Sequence, residues 1–226
     1  MSAVDEIRER CGRSRELGGV VIWSIARLAR PRDLRREIAN DAATLAIELH
    51  GAVWMLIQSA HFAAAHALLR PMMETTARAL WLLYAASFEQ VEALAANRHT
   101  LDIGDLLRAM RRKQAFPQID LLCKLDEQSS KLFHSFTHGS FEALRRRSDG
   151  YEPSEILVCL MIADFYLTIA TDAVAVLHGA PLLKPLMKEA AGRLGQEFAQ
   201  RFGTPAGEPD GSKNGLPAMP GWQDAR

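Results

Sequence analysis

The stretch ILVCLMIADFYLTIATDAVAVL, residues 156–177, decides the fold. At 22 residues it is long enough to cross a bilayer as a helix. It also contains Asp164 and Asp172. An Asp near a membrane centre costs roughly 2.5–3.5 kcal/mol on insertion scales, so the pair argues for a buried helix in a water-soluble protein and against a membrane span. Asp164, Thr168 and Asp172 recur every four residues and make one thin polar line on an apolar cylinder. A carboxylate in that position needs a cation or several donors from a neighbouring helix. Arg70 or Arg78 is the expected partner of at least one of the two Asp residues.

Outward from this stretch, period-2 alternation is almost absent, and Ala, Leu, Glu, Arg and Met dominate. The pattern predicts helices over about 3–29, 32–59, 62–86, 88–98, 102–113, 117–138, 153–178 and 182–202. Pro117, Pro153 and Pro181 stand near three starts, where the missing N–H costs nothing, and Gly179 stands where a left-handed cap closes a helix. The Gly18–Gly19 pair is a potential break in the first helix. The fold class is therefore all-α: a single bundle of about six to eight helices, the four long central ones being 32–59, 62–86, 117–138 and 153–178. The bundle domain is expected over residues 1–202. GTPAGEPDGSKNGLPAMPGWQDAR, residues 203–226, is aperiodic and rich in Gly and Pro, and a disordered tail is expected there.

Composition narrows the function classes. Hydrophobic residues make up 48% of the 226 residues, which supports a sizeable core. Lys plus Arg equals Asp plus Glu at 27 each, which speaks against a broad nucleic-acid-binding face while leaving a local basic patch open. Cys11, Cys123 and Cys159 are odd in number and form no CxxC, which fits small core side chains in a reducing cytoplasm. The start MSAVDEIRERCGRSRE lacks the apolar region of a signal peptide, so a cytoplasmic location without membrane attachment is expected.

Two stretches carry unusual polar residues. In HALLRPMMETTARALWLLY, residues 66–84, Arg70, Glu74 and Arg78 fall on one strip of a helix that is otherwise apolar. Arg70–Glu74 and Glu74–Arg78 are each i,i+4 pairs, so one arginine remains in excess and needs an acid or an anion. Pro71 adds a proline beside Arg70 in the helix interior. An internal salt-bridge ladder with a proline bend accounts for the strip as well as a binding site does.

The second stretch is KLFHSFTHGSFEALRRR, residues 131–147. On a helix His134 and His138 share a face with Glu127 and Lys131, and Arg145 and Arg146 follow. Three readings compete. The histidines clasp a metal with Glu74 or Glu48, but HSFTH lacks the Glu of HExxH and the chain has no ExxH, so no metal is assigned. Alternatively a histidine moves a proton while arginines hold a phosphate, the requirement for metal-independent RNA cleavage. The third reading is structural, with the histidines paired to acids of other helices. No cofactor is expected.

LLRPMMETTARALWLLY followed by SFTHGSFEALRRR and a long apolar helix resembles an uncharacterised group of bacterial all-helical proteins classified as domains of unknown function. The resemblance covers about residues 30–180 and implies a single helical bundle. It is also loosely similar to HEPN-type helical domains, many of which are ribonucleases in toxin and anti-phage systems. The hallmark of those domains is Arg-x4–6-His, and no arginine stands at that spacing before His134 or His138, although Lys131 does. The resulting expectation is a binding or regulatory helical module with a polar centre of Arg70, Glu74, Arg78, His134 and His138, flanked by Arg145 and Arg146. Its partners are a protein or a small anionic ligand, and the apolar helix faces suggest a homo-oligomer. The alternative is a HEPN-like ribonuclease acting on RNA, with His138 or His134 as acid–base and Arg70 or Arg78 as phosphate clamp.

Overall fold

The computed structural model describes residues 2–98, 102–116, 119–120, 122–124, 126–127, 148–180 and 183–202. Among them no strand occurs, and the fold is all-α as the periodicity predicts. The helices are α1 (Ala3–Ile25), α2 (Leu34–Gln58), α3 (Phe62–Tyr84), α4 (Phe88–Ala95), α5 (Ile103–Arg112), α6 (Pro153–His178) and α7 (Leu183–Phe202). Most of the predicted helix at 117–138, and all of 203–226, lie outside the described residues.

Local chemistry sets the boundaries. Ser2 caps α1 in a reciprocal box with Asp5, and Ser87 does the same for α4 with Gln90. Asp33 and Asp102 accept from the Arg36 and Asp105 amides at the starts of α2 and α5. Pro153 occupies the first turn of α6, and Gly179 ends that helix at φ +58°, a conformation that costs glycine least. The last turn of α3 is capped by cations. Arg35 Nη1 donates to the Leu82 and Ala86 carbonyls at 3.1 and 2.8 Å, and Lys113 Nζ donates to that of Ala85 at 2.8 Å. The Gly18–Gly19 pair does not break α1, which runs on to Ile25.

Helix α6 is the hub, packing against α1, α2, α3 and α7. It is long and apolar enough to cross a membrane, yet 83% of its apolar window is buried inside the bundle, the environment of a soluble core helix. Helices α2 and α3 form the broadest pairing. Ala39, Ala42, Ala43, Ala46, Ile47, Val53 and Ile57 give α2 a buried face of small and branched side chains. Leu69, Met72, Met73 and Trp81 of α3 and Leu160 and Tyr166 of α6 fill the centre.

Candidate binding cleft and the buried polar centre

The strip predicted on α3 exists. Arg70 Nε donates to Glu74 Oε1 at 2.6 Å, so of the two expected i,i+4 contacts the Arg70–Glu74 pair forms and the Glu74–Arg78 pair does not. Arg70 also lies 3.7 Å from Asp126 Oδ1 through Nη1, and its side chain is only 16% exposed. Among the described residues neither Arg70 Nη1 nor Asp126 Oδ1 has a hydrogen-bond partner: the pair is in charge contact but not in bonding geometry. Burial pushes the Asp126 carboxyl above its ordinary range, Arg70 opposes this, and Asp102 and Glu127 reinforce it. The Tyr166 hydroxyl is also buried without a hydrogen-bond partner among the described residues and feels the charges of Asp126 and Arg70.

Arg78 is the arginine in excess. It is partly buried, and among the described residues it makes no ion pair and no side-chain hydrogen bond. It lines a small cleft of about 90 Å³ together with Arg70, Glu74, Asp102, Ile103 and Leu106. The α5 N-cap residue Asp102 and the first turn of α5 thus close over the polar strip of α3. Trp81, one turn further on, packs into the core at 2% exposure and takes no part in the cleft.

The expected pairing of Asp164 or Asp172 with Arg70 or Arg78 does not form. Asp164 instead receives Arg10 and Ser14 from α1 and His50 from α2. Arg10 Nη1 is 2.7 Å from its Oδ2, Ser14 Oγ donates to Oδ2 at 3.1 Å, and His50 Nε2 donates to Oδ1 at 2.7 Å. Arg10 Nη1 also donates to Ser14 Oγ at 2.9 Å, and its Nε faces Glu197 Oε2 of α7 at 3.1 Å. Burial acts to raise the Asp164 pKa, but the His50 hydrogen bond and the Arg10 charge outweigh it and hold the carboxyl below its ordinary range. The physical reason for the different pairing is placement: Asp164 faces α1 and α2, whereas the Arg70 strip opens toward α5 and Asp126. Asp172 is exposed and feels the charge of Lys184.

His50 also depends on Gly18. A Cβ built at Gly18 would stand 3.0 Å from His50 Cε1 and Nδ1, so the glycine lets α1 pass the imidazole. Arg10, Ser14 and His50 were not singled out from the sequence as a centre. The available signal was periodic: Arg10, Ser14, Gly18 and Val21 share the buried face of α1, and Ile47, His50, Val53 and Ile57 that of α2. His134, His138, Arg145 and Arg146 lie outside the described residues. Among the described residues no group of three His, Cys, Asp or Glu side chains is placed to hold a metal ion.

A family described as a family of unknown function (DUF6988) has a model that matches residues 43–201, well over half of the chain. No curated protein and no solved structure matches the chain. The matched range holds every described residue of the α3 cleft, from Arg70 to Asp126, whereas Arg10 and Ser14 precede it.

Proposed function

The chain belongs to the DUF6988 family, a family of unknown function, and from that premise we propose that it is a cytoplasmic binding module whose α3–α5 cleft takes a small oxyanion. The observation that carries this reading is Arg78: a partly buried guanidinium with no ion-pair partner among the described residues, on the wall of a cleft. A desolvated arginine without a counter-charge is costly, and a ligand carboxylate or phosphate supplies one, held also by Arg70. Three free buried thiols, Cys11, Cys123 and Cys159, suit the reducing cytoplasm.

The acids of the cleft favour binding of a small ligand over cleavage of RNA. Glu74 and Asp102 line it beside the two arginines and repel a continuous phosphate backbone, while a compact anion can sit against Arg78 with Arg70 beside it. The cleft volume of about 90 Å³ suits a ligand of few atoms.

The test is a titration of the full chain with sodium acetate and with inorganic phosphate, followed through the arginine Nε–Hε resonances. Saturable shifts of Arg78 and Arg70 are expected, and they should vanish in Arg78→Gln. Absence of any saturable shift overturns the reading. In parallel, single-stranded RNA is incubated with the protein without metal. Cleavage that disappears in His138→Ala would replace the binding module by a ribonuclease.

A further inference from the structure

Residues 27–36, RLARPRDLRR, place five arginines within the α1–α2 turn and the first turn of α2 of a chain with no net charge. Arg35 turns away to cap α3. The other four line a concavity of about 400 Å³ with Asp33, Leu177 and His178. That volume falls within the range of about 300–1,000 Å³ typical of small-molecule sites. The single acid among the lining residues, Asp33, has Oδ1 engaged as the α2 N-cap.

Three of these arginines are held by the protein. Arg27 lies over the Trp23 ring at 4.5 Å, and Arg30 Nη2 meets Asp41 Oδ2 at 2.8 Å. Arg36 donates to the Leu177 carbonyl at the end of α6 and stands 3.8 Å from Asp33. Arg32, on the turn between them, makes no ion pair or side-chain hydrogen bond among the described residues. The field is felt by His178: its ring sits in the same wall, bonded to Asn40 Oδ1 at 2.9 Å, and burial with the Arg36 charge lowers its pKa.

We infer that this concavity is a second ligand site, separate from the α3–α5 cleft, which binds a phosphate-bearing group between Arg27, Arg30, Arg32 and Arg36. Guanidinium forks match phosphate oxygens in pairs, and anchoring three of the four lowers the ordering cost of binding. With four arginines against Asp33 and the Asp41 partner of Arg30, the site keeps an excess of positive charge and selects a multiply charged anion, unlike the near-neutral cleft on α3. The phosphate can come from a soluble metabolite or from a lipid headgroup.

Calorimetric titration of the full chain with inorganic pyrophosphate at physiological ionic strength tests this. One-site binding is expected, with Arg32→Gln weakening it about tenfold, the factor that 1.4 kcal/mol represents. Arg27→Gln should act in the same direction. Arg15→Gln is the control: Arg15 is exposed, and about 15 Å of helix separates it from the end of α1. An equal loss with Arg15→Gln would show diffuse charge attraction and overturn the site. A second arm uses vesicles of phosphatidylglycerol in phosphatidylcholine. Vesicle binding that depends on Arg32, without pyrophosphate binding, supports the site with a lipid phosphate as its source. No binding in either arm overturns it. Arg78→Gln leaves this binding intact, so failure here and failure of the α3–α5 cleft are read separately.

Discussion

His50 Nε2 donates to Asp164 Oδ1 across 2.7 Å, with the two side chains only 1% and 3% exposed. The contact ties α2 to α6 at the point where Arg10 and Ser14 tie α1 to the same carboxylate. Asp164→Asn keeps the shape and removes the charge, leaving Arg10 buried with Glu197 as its remaining acid. Loss of one partner of a buried pair costs about 3–5 kcal/mol. Urea denaturation of Asp164→Asn should show a loss of that size. The double variant Arg10→Met with Asp164→Leu should be less destabilised than Asp164→Asn, since it leaves no orphaned charge. If it is equally or more destabilised, the network contributes net stability and not only mutual compensation.

The signs of two pKa shifts define two pH windows. Asp164 titrates lower in the folded state than unfolded, so its contribution is complete above the unfolded carboxylate value of about 3.9 and is lost as pH falls from there through the folded value. His178 is also lowered, so the unfolded state binds more protons and stability falls as pH drops through the unfolded histidine value of about 6.5. Asp126 is raised and acts oppositely in the acid range, where the folded state takes up the proton first. Urea midpoints against pH should therefore show two declines on acidification. His178→Gln flattens the one near neutrality, and Asp164→Asn flattens the one below about pH 4.

The hub helix was legible because one local run carries its own argument: apolar enough to be central, and too acidic for lipid. Helix limits came close for a similar reason, since Pro153, Gly179 and the Asp33 cap act on their own neighbours. The Arg70–Glu74 contact was legible too, being an i,i+4 pair on one helix. The partner of Asp164 was not. His50 lies 114 residues away, and the choice between Arg10 and Arg70 depends on which face of α6 each helix covers. Periodicity puts Arg10 and His50 on buried faces but cannot pair one face with another.

Gly18→Ala tests the close approach of α1 to His50. In an isolated helix alanine gains about 1 kcal/mol over glycine. Here the added methyl meets Cε1 and Nδ1 at 3.0 Å, and the ring cannot yield without giving up its bond to Asp164. Overpacking of this kind costs about 1–3 kcal/mol, so a net loss of roughly 1 kcal/mol is expected. Gly19→Ala is the contrast: no atom lies within 4 Å of its Cβ position, and a small gain is expected. Thermal melts of the two variants, moving in opposite directions, would establish the contact.

Arg70 and Arg78 lie on one strip but should respond differently to the same change. Arg70→Gln removes the 2.6 Å bond to Glu74 and leaves the half-buried Asp126 without its cation. A loss of about 1–3 kcal/mol is expected, as for other groups left unsatisfied. The variant should also enlarge the gain in stability as pH falls toward the Asp126 range, because Arg70 no longer holds the folded-state Asp126 pKa down against burial. Arg78→Gln breaks no ion pair or side-chain hydrogen bond among the described residues, and its effect should stay within about 0.5 kcal/mol. A residue that is neutral for stability but required for the anion-dependent shifts in the cleft is held there for a ligand. If Arg78→Gln instead destabilises as much as Arg70→Gln, Arg78 serves the fold and the cleft loses its principal binding group.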